Sequence, residues 1–279
     1  MSQKHNQEPG VVLITGGRTG IGLEISTQLA HRGVKVYSAS RQLCVGFQST
    51  DGKGEIIPVQ MDVNDEQQIA AAVARIVKEN GRLDAVICNA GNGLAGAIED
   101  CSSEEVRYQM ETNFFGAVKT IQACLPVFRK QGSGKIIAVS SVAAIVPIPY
   151  QAFYSAGKSA LFIFMQSLAL EVAPFGIQCC TILPGDTKTE FTAMRKYTEA
   201  SRMPASGYAA NMKKAVEKME QDEQKGMESS FVAKKIVEQL FRKKMNVTVV
   251  PGIQYKFICW LFNLLPYKLR LLAVKIVYL

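Results

Sequence analysis

Short runs rich in β-branched residues alternate along the chain with longer segments whose apolar residues recur every three or four positions. Residues 11–15, 34–40, 55–61, 85–88, 135–140, 177–183 and 247–250 have the compact apolar character of strands. Residues 20–32, 65–80, 103–131, 151–174 and 229–242 carry helical periodicity. This alternation predicts an α/β fold, a single doubly wound domain with a seven-stranded parallel sheet and helices on both faces. Residues 190–228 break the rhythm. They are long, charged and weakly periodic, and a segment of that length outside the sheet is expected to be a substrate lid. Beyond 252, two apolar helical patterns, 255–265 and 267–279, flank Pro266. Lys256, Lys268, Arg270 and Lys275 interrupt them, so neither supplies the ~18 apolar residues of a spanning helix. Four roles stay open for this extension: packing on its own subunit, closing an oligomer, capping a pocket, or lying on a membrane surface. The expected organisation is a polar tail at 1–10, a main domain at 11–252 with the lid at 190–228, and an apolar basic extension at 253–279.

Composition adds constraints. With 279 residues, 48% of them hydrophobic, the chain can bury the core of one large domain. No apolar segment of signal-peptide type precedes the first strand. Seven cysteines form no CxxC pair and only two histidines are present, so no metal is expected. A reduced cytoplasmic protein is the simple expectation. The net charge of +8 is uneven, because no acidic residue follows Glu238 while seven basic residues do. A basic excess confined to an apolar tail fits an anionic lipid surface, with possible peripheral membrane association, better than nucleic acid.

The candidate chemistry centres on Tyr154 and Lys158. They lie four residues apart in a helical stretch, the spacing that stacks two side chains on one face. A neighbouring ammonium is expected to stabilise the phenolate and lower the tyrosine pKa. Far upstream, Thr15-Gly16-Gly17-Arg18-Thr19-Gly20-Ile21-Gly22 closes a strand and opens a helix. Backbone N–H groups and the positive helix end there can face a pyrophosphate, with glycines permitting close approach.

These motifs, with Asn89-Ala90-Gly91, Asn113, Ser141 and Pro184-Gly185, stand in the order and spacing of the short-chain dehydrogenase/reductase family, which the chain resembles from about Val11 to Gly252. The resemblance implies a Rossmann-type catalytic domain and a catalytic set of Asn113, Ser141, Tyr154 and Lys158. Tyr154 would exchange a proton with the substrate oxygen, Lys158 would hold the nicotinamide ribose, and Ser141 would orient the substrate, with Ser140 its rival. Asn113 would position a water linking Lys158 to solvent. Asn89 would brace the sheet, with Ala90 and Gly91 leaving room for a ribose. Asp62 and Val63 would read the adenine, although Asp62 also suits a strand-end turn. Pro184, Gly185, Thr187 and Thr189 would bind the carboxamide. The resemblance is to the 17β-hydroxysteroid and retinol dehydrogenase type more than to acyl-carrier reductases, which stop soon after the last strand. It also implies a homodimer or homotetramer paired through the long helices at 103–131 and 151–174.

Charge selects among cofactors. NAD-binding relatives of this architecture place a carboxylate at the end of the second strand, whereas Ser40 and Arg41 stand here. A guanidinium can grip a 2′-phosphate, and Arg18 could reach the same group, which favours NADP(H). Apolar residues 142–150 and the methionines and aromatics of the lid favour a lipophilic small-molecule substrate. The reading is a ketone/secondary-alcohol oxidoreductase acting on a molecule such as a steroid. The alternatives are a reductase of a long-chain 3-keto or acyl-dihydroxyacetone lipid, and a dinucleotide-binding sensor or scaffold without turnover.

Overall fold

The structure is a computed structural model that describes residues 8–48, 54–203 and 206–279; most of the expected polar tail, residues 1–7, lies outside them. The strands in chain order are β1 (Val11–Thr15), β2 (Lys35–Ser40), β3 (Phe47–Gln48), β4 (Glu55–Gln60), β5 (Ala85–Cys88), β6 (Leu94–Ala95), β7 (Gly134–Val139), β8 (Ile177–Ile182), β9 (Thr187–Lys188), β10 (Lys196–Tyr197), β11 (Met227–Glu228) and β12 (Thr248–Val249). The helices are α1 (Gly20–Ala30), α2 (Glu66–Asn80), α3 (Ser103–Met110), α4 (Gly116–Gln131), α5 (Ala152–Val172), α6 (Ala209–Gln224), α7 (Ser229–Phe241), α8 (Ile253–Leu264) and α9 (Tyr267–Tyr278).

The main sheet runs β12-β8-β7-β5-β1-β2-β4-β3. Seven strands are parallel, as the alternation predicts, and the two-residue β3 adds an antiparallel eighth at the edge, pairing Phe47 with Ile56. Alternation along each strand splits the core into two layers. On β1, Val11 and Leu13 join one layer with Ile69, Ile76, Ile121, Phe128 and Leu161 from α2, α4 and α5. Val12 and Ile14 join the other, with Ile25 and Leu29 of α1 and Ile236 and Leu240 of α7. Polar signals punctuate the helices. The Asp65 carboxylate accepts from the backbones of Gln67 and Gln68 at the start of α2, Ser102 and Glu105 form a capping box on α3, and Gly81 and Gly132 end α2 and α4 in the left-handed region.

Two elements depart from the sequence pattern. The helix expected across 103–131 is interrupted by a π-helical turn at Glu111–Phe115. Periodicity cannot register that single-turn widening, which is frequent at functional sites. The lid segment is also more ordered than its weak pattern suggests. It contains β10, α6 and β11, with Met212, Ala215, Val216 and Met219 of α6 packed against Ala95 and Tyr278.

The carboxyl ends of the strands flanking β1 converge on one edge of the sheet. There the direction of strand progression reverses between β5 and β2, the place where open α/β sheets bind ligands.

Candidate active site

A cavity of about 1070 Å³ opens along that edge. It exceeds the ~300–1,000 Å³ of ordinary small-molecule pockets, and one end is polar and glycine-lined while the other is apolar.

The glycine turn forms the polar end. Gly16 (φ 65°) and Gly20 (φ 54°) adopt left-handed conformations that disfavour other residues. Gly16, Arg18, Thr19, Gly20 and Ile21 line the cavity. Thr15, Gly17 and Gly22, expected to bind the cofactor, do not line it and stand behind the turn. A Cβ on Gly17 would lie 2.1 Å from Ser38 Oγ, and one on Gly22 would lie 2.2 Å from the Gly16 carbonyl oxygen. Thr15 Oγ1 accepts hydrogen bonds from the backbones of Asn89 and Ala90, each at 3.1 Å, and Asn89 Nδ2 donates to the carbonyls of Thr15 (3.2 Å) and Gly16 (2.9 Å). Asn89 therefore braces the turn, with Ala90 and Gly91 forming cavity wall.

At the end of β2, Ser40, Arg41 and Gln42 line the cavity beside Arg18, whose Nη1 donates to Gln42 Oε1 at 2.7 Å. Two guanidinium side chains thus flank a strand end that has no carboxylate. Asp62 and Val63 also line the wall. The Asp62 carboxylate accepts from the Asn64 backbone at 3.0 Å, which gives it the turn-forming role left open above. These residues fit a nicotinamide dinucleotide: the cradle is built of glycines that side chains would fill, and its phosphate end is basic.

Ser141, Tyr154 and Lys158 meet at the middle of the cavity. Ser141 lies two residues beyond β7 and caps the turn at Val142–Ala144, where its Oγ accepts from the Ala143 backbone at 3.1 Å and hydrogen-bonds the Tyr154 side chain. Ser140, its rival, instead donates to the Lys158 carbonyl at 2.8 Å, tying the strand end to α5. Lys158 Nζ donates to the Val139 carbonyl at 3.0 Å and lies 5.7 Å from the centre of the Tyr154 ring. Burial pushes the Tyr154 pKa up to about 12, against the Ser141 hydrogen bond that lowers it, and pushes Lys158 down to about 8. The expected lowering of the tyrosine pKa is therefore absent, because desolvation of the phenolate outweighs every favourable neighbour.

Asn113 does not line the cavity. The π turn buries it, and its Nδ2 donates to the Asn92 side-chain oxygen (2.8 Å), the Asn92 carbonyl (3.0 Å) and the Gln109 carbonyl (3.0 Å). A Cβ on Gly91 would lie 2.8 Å from Asn113 Oδ1 and 3.5 Å from Lys158 Nζ, so that glycine keeps the space between the two open.

Pro184, Gly185, Thr187 and Thr189 line the opposite wall. Thr187 Oγ1 donates to the Gly185 carbonyl at 2.8 Å, and the Thr189 side chain approaches Gly20. Asp186 accepts from the Tyr255 hydroxyl at 2.9 Å, and burial raises its pKa. That bond anchors the C-terminal extension over the site. Tyr255, Ile258, Phe262, Val274 and Tyr278 of α8 and α9 form the apolar end with Val142, Ile148 and Phe191, so the extension caps the cavity.

Gln151 was missed in the sequence. It is buried, it lines the cavity one turn before Tyr154, and its amide nitrogen has no protein partner. Its spacing of three from Tyr154 was the available signal. Among the described residues no group of His, Cys, Asp or Glu side chains could hold a metal ion, and all seven cysteines are free thiols.

The profile of the short chain dehydrogenase family matches residues 10–200, and the chain belongs to this family of oxidoreductases, which interconvert CH–OH and C=O groups. It is 36% identical over 270 residues to the 3-ketodihydrosphingosine reductase of Bacteroides thetaiotaomicron, a match that covers 95% of this chain and 98% of the relative. It is 35% identical to human 17-beta-hydroxysteroid dehydrogenase type 1, over 65% of this chain and 58% of the relative. A short-chain dehydrogenase from Streptomyces avermitilis superimposes with a TM-score of 0.77 at 26% identity, covering 93% of this chain and 92% of the other. More distant folds of the same kind have been solved with NADP, from Burkholderia cenocepacia (TM-score 0.71, 24% identity, 95% of this chain and 97% of the other), and with NAD, from Burkholderia phymatum (TM-score 0.76, 20% identity, 91% and 92%).

Proposed function

We propose that the chain is an NADPH-dependent reductase of a ketone carried on a long-chain lipophilic molecule, of the 3-ketodihydrosphingosine kind. One observation carries the choice of a long substrate. The apolar end of the cavity borders a second apolar pocket of about 570 Å³ at the α8–α9 joint, and the two share Ala143, Ile148, Phe262 and Val274 as walls. A chain attached to the reacting carbon would pass these shared walls to enter that pocket. The full-length relative that reduces 3-ketodihydrosphingosine supports this reading. A compact steroid is the second reading, favoured by the 35% identity to the human hydroxysteroid enzyme.

The dinucleotide, when bound, supplies the hydride. Ser141 hydrogen-bonds and orients the carbonyl oxygen, and Tyr154 gives it a proton. Tyr154 is protonated at neutral pH, the form that reduction uses, and burial raises its pKa further. Lys158 holds the ribose, while Asn113 ties down the chain at Asn92 through hydrogen bonds to its carbonyl and side-chain oxygen. Arg18 and Arg41 bind the 2′-phosphate. Subunits pair through the helices at 103–131 and 151–174, where Ile163 and Leu170 of α5 and Phe115 of the π turn are exposed.

The test is NADPH oxidation with 3-ketodihydrosphingosine, estrone and a short water-soluble ketone, comparing wild type with Tyr154→Phe. Expected is turnover highest on the long-chain ketone and at least about 100-fold lower in the variant, the scale of a lost general acid, with NADPH binding unchanged. Highest turnover on estrone would select the steroid reading. NADPH binding with no turnover on any ketone would leave only a sensor or scaffold.

A further inference from the structure

The two C-terminal helices have a second face that the cavity does not use. On α8, Tyr255, Ile258, Cys259 and Phe262 turn inward, while Ile253, Phe257, Trp260, Leu261 and Leu264 are exposed at helical spacing, with Trp260 57% accessible. On α9, Arg270, Val274 and Tyr278 turn inward, while Leu269, Leu272, Ile276 and Leu279 form an exposed stripe, with Ile276 75% accessible. Lys256, Lys268 and Lys275 border these stripes, and no acidic residue lies anywhere after Glu238. Each helix has 12 residues, about 18 Å at 1.5 Å per residue, too short for a hydrocarbon core of ~30 Å. One helix among the described residues, Ala152–Phe175, is long and apolar enough to cross a membrane, but it carries Tyr154 and Lys158 against the sheet.

We propose that α8 and α9 lie as two consecutive interfacial helices on an anionic lipid bilayer with their outer stripes immersed, and that a lipophilic substrate passes from that bilayer into the cavity beneath them. Apolar stripes on helices whose only charged side chains are cations match the headgroup–acyl boundary of an anionic membrane, where tryptophan and tyrosine are also at home. The second apolar pocket marks the proposed route. It lies at the joint of the same helices, with Tyr267, Arg270 and Leu271 on its outer side and walls shared with the active-site cavity. The purpose of this docking rests on the lipophilic-substrate reading above, but the docking itself is measurable without any substrate.

Trp260 is the single tryptophan of the chain and sits in the proposed contact, so its emission reports docking directly. The full-length protein is titrated with vesicles of phosphatidylcholine alone and of phosphatidylcholine mixed with phosphatidylglycerol, followed by co-sedimentation and by quenching with brominated acyl chains. Expected is a blue shift and quenching on the mixed vesicles, at an affinity at least tenfold above that for phosphatidylcholine. The double variant Leu264→Glu/Ile276→Glu, whose two residues line neither pocket, should bind the mixed vesicles at least tenfold more weakly. It should reduce a short soluble ketone at the wild-type rate and a vesicle-embedded long-chain ketone more slowly. Unchanged emission without co-sedimentation overturns the proposal. So does an emission shift that follows protein concentration without lipid, which assigns the face to a second copy of the chain. Docking without turnover of any ketone upholds the role of the two helices and sinks the substrate reading instead.

Discussion

The proposed grip of Arg18 and Arg41 on a 2′-phosphate predicts that replacing both by alanine converts a preference for NADPH into indifference between NADPH and NADH. Both side chains are exposed at the rim of the cavity, where they border Ser40 at the end of β2. A hydrogen bond to a charged group contributes ~1.5–3 kcal/mol, and exposure places each arginine at the lower end. Two such contacts amount to about 3 kcal/mol, which at about 1.4 kcal/mol per factor of ten is roughly 100-fold in kcat/KM for NADPH. The loss should not come from misfolding. The partner that Arg18 leaves behind, Gln42, is itself exposed and can turn to water, so no buried polar group is stranded. NADH has no 2′-phosphate, so its kcat/KM should stay within about twofold. The assay is steady-state kinetics with both dinucleotides at fixed ketone, repeated at high salt, where the NADPH advantage of the wild type should shrink. A double variant that keeps the wild-type ratio of the two kcat/KM values would refute the assignment of these arginines to the phosphate.

Two further predictions concern the packing and protonation of the site. Lys158 has a pKa of about 8 in the cofactor-free fold against an ordinary 10.5, so between those values the unfolded chain binds more protons and stability rises with pH. From this group the rise totals about 3 kcal/mol and is absent below pH 8. The difference in unfolding free energy between wild type and Lys158→Met, followed from pH 7 to 11, should show it, and a difference independent of pH would contradict the buried amine. Gly185→Ala would place a Cβ 2.1 Å from the Tyr255 ring, so α8 must shift and the Tyr255–Asp186 hydrogen bond must break. The expected cost is ~1–3 kcal/mol in thermal unfolding, with a raised KM for the long-chain ketone. Unchanged stability and KM would mean that Tyr255 is not seated on Gly185.

Much of the site can be read from local sequence because local geometry makes it. Tyr154 and Lys158 share a face through helical spacing alone, and the glycines at 16 and 20 announce a turn that needs left-handed backbone. The alternation of β-branched and helical runs likewise gives the parallel sheet, since a strand buried on both faces must be apolar throughout. Charge along the chain marks the basic tail in the same direct way.

Contacts between distant segments decided the remainder. Ser141 rather than Ser140 meets Tyr154 because Ser140 is taken up by the Lys158 carbonyl on α5, and two adjacent serines look alike until the helix is docked. Thr15, Gly17 and Gly22 belong to the motif, yet they serve it from behind, pressed on Asn89, Ser38 and the Gly16 carbonyl. Asn113 is placed by a π turn that leaves no trace in the apolar period. The tyrosine pKa rises where spacing to a lysine suggested a fall, because the depth of burial belongs to the assembled cavity. The C-terminal extension was an apolar basic segment with four open roles, and only its seating over Gly185 and Asp186 shows that one face closes the cavity. Sequence by itself determined the elements, the family and the reacting pair, because periodicity and motif spacing act over a few residues. Tertiary structure decided which side chains face the ligand, since that depends on segments more than sixty residues apart, such as Asp186 and Tyr255, packing to exclude water together.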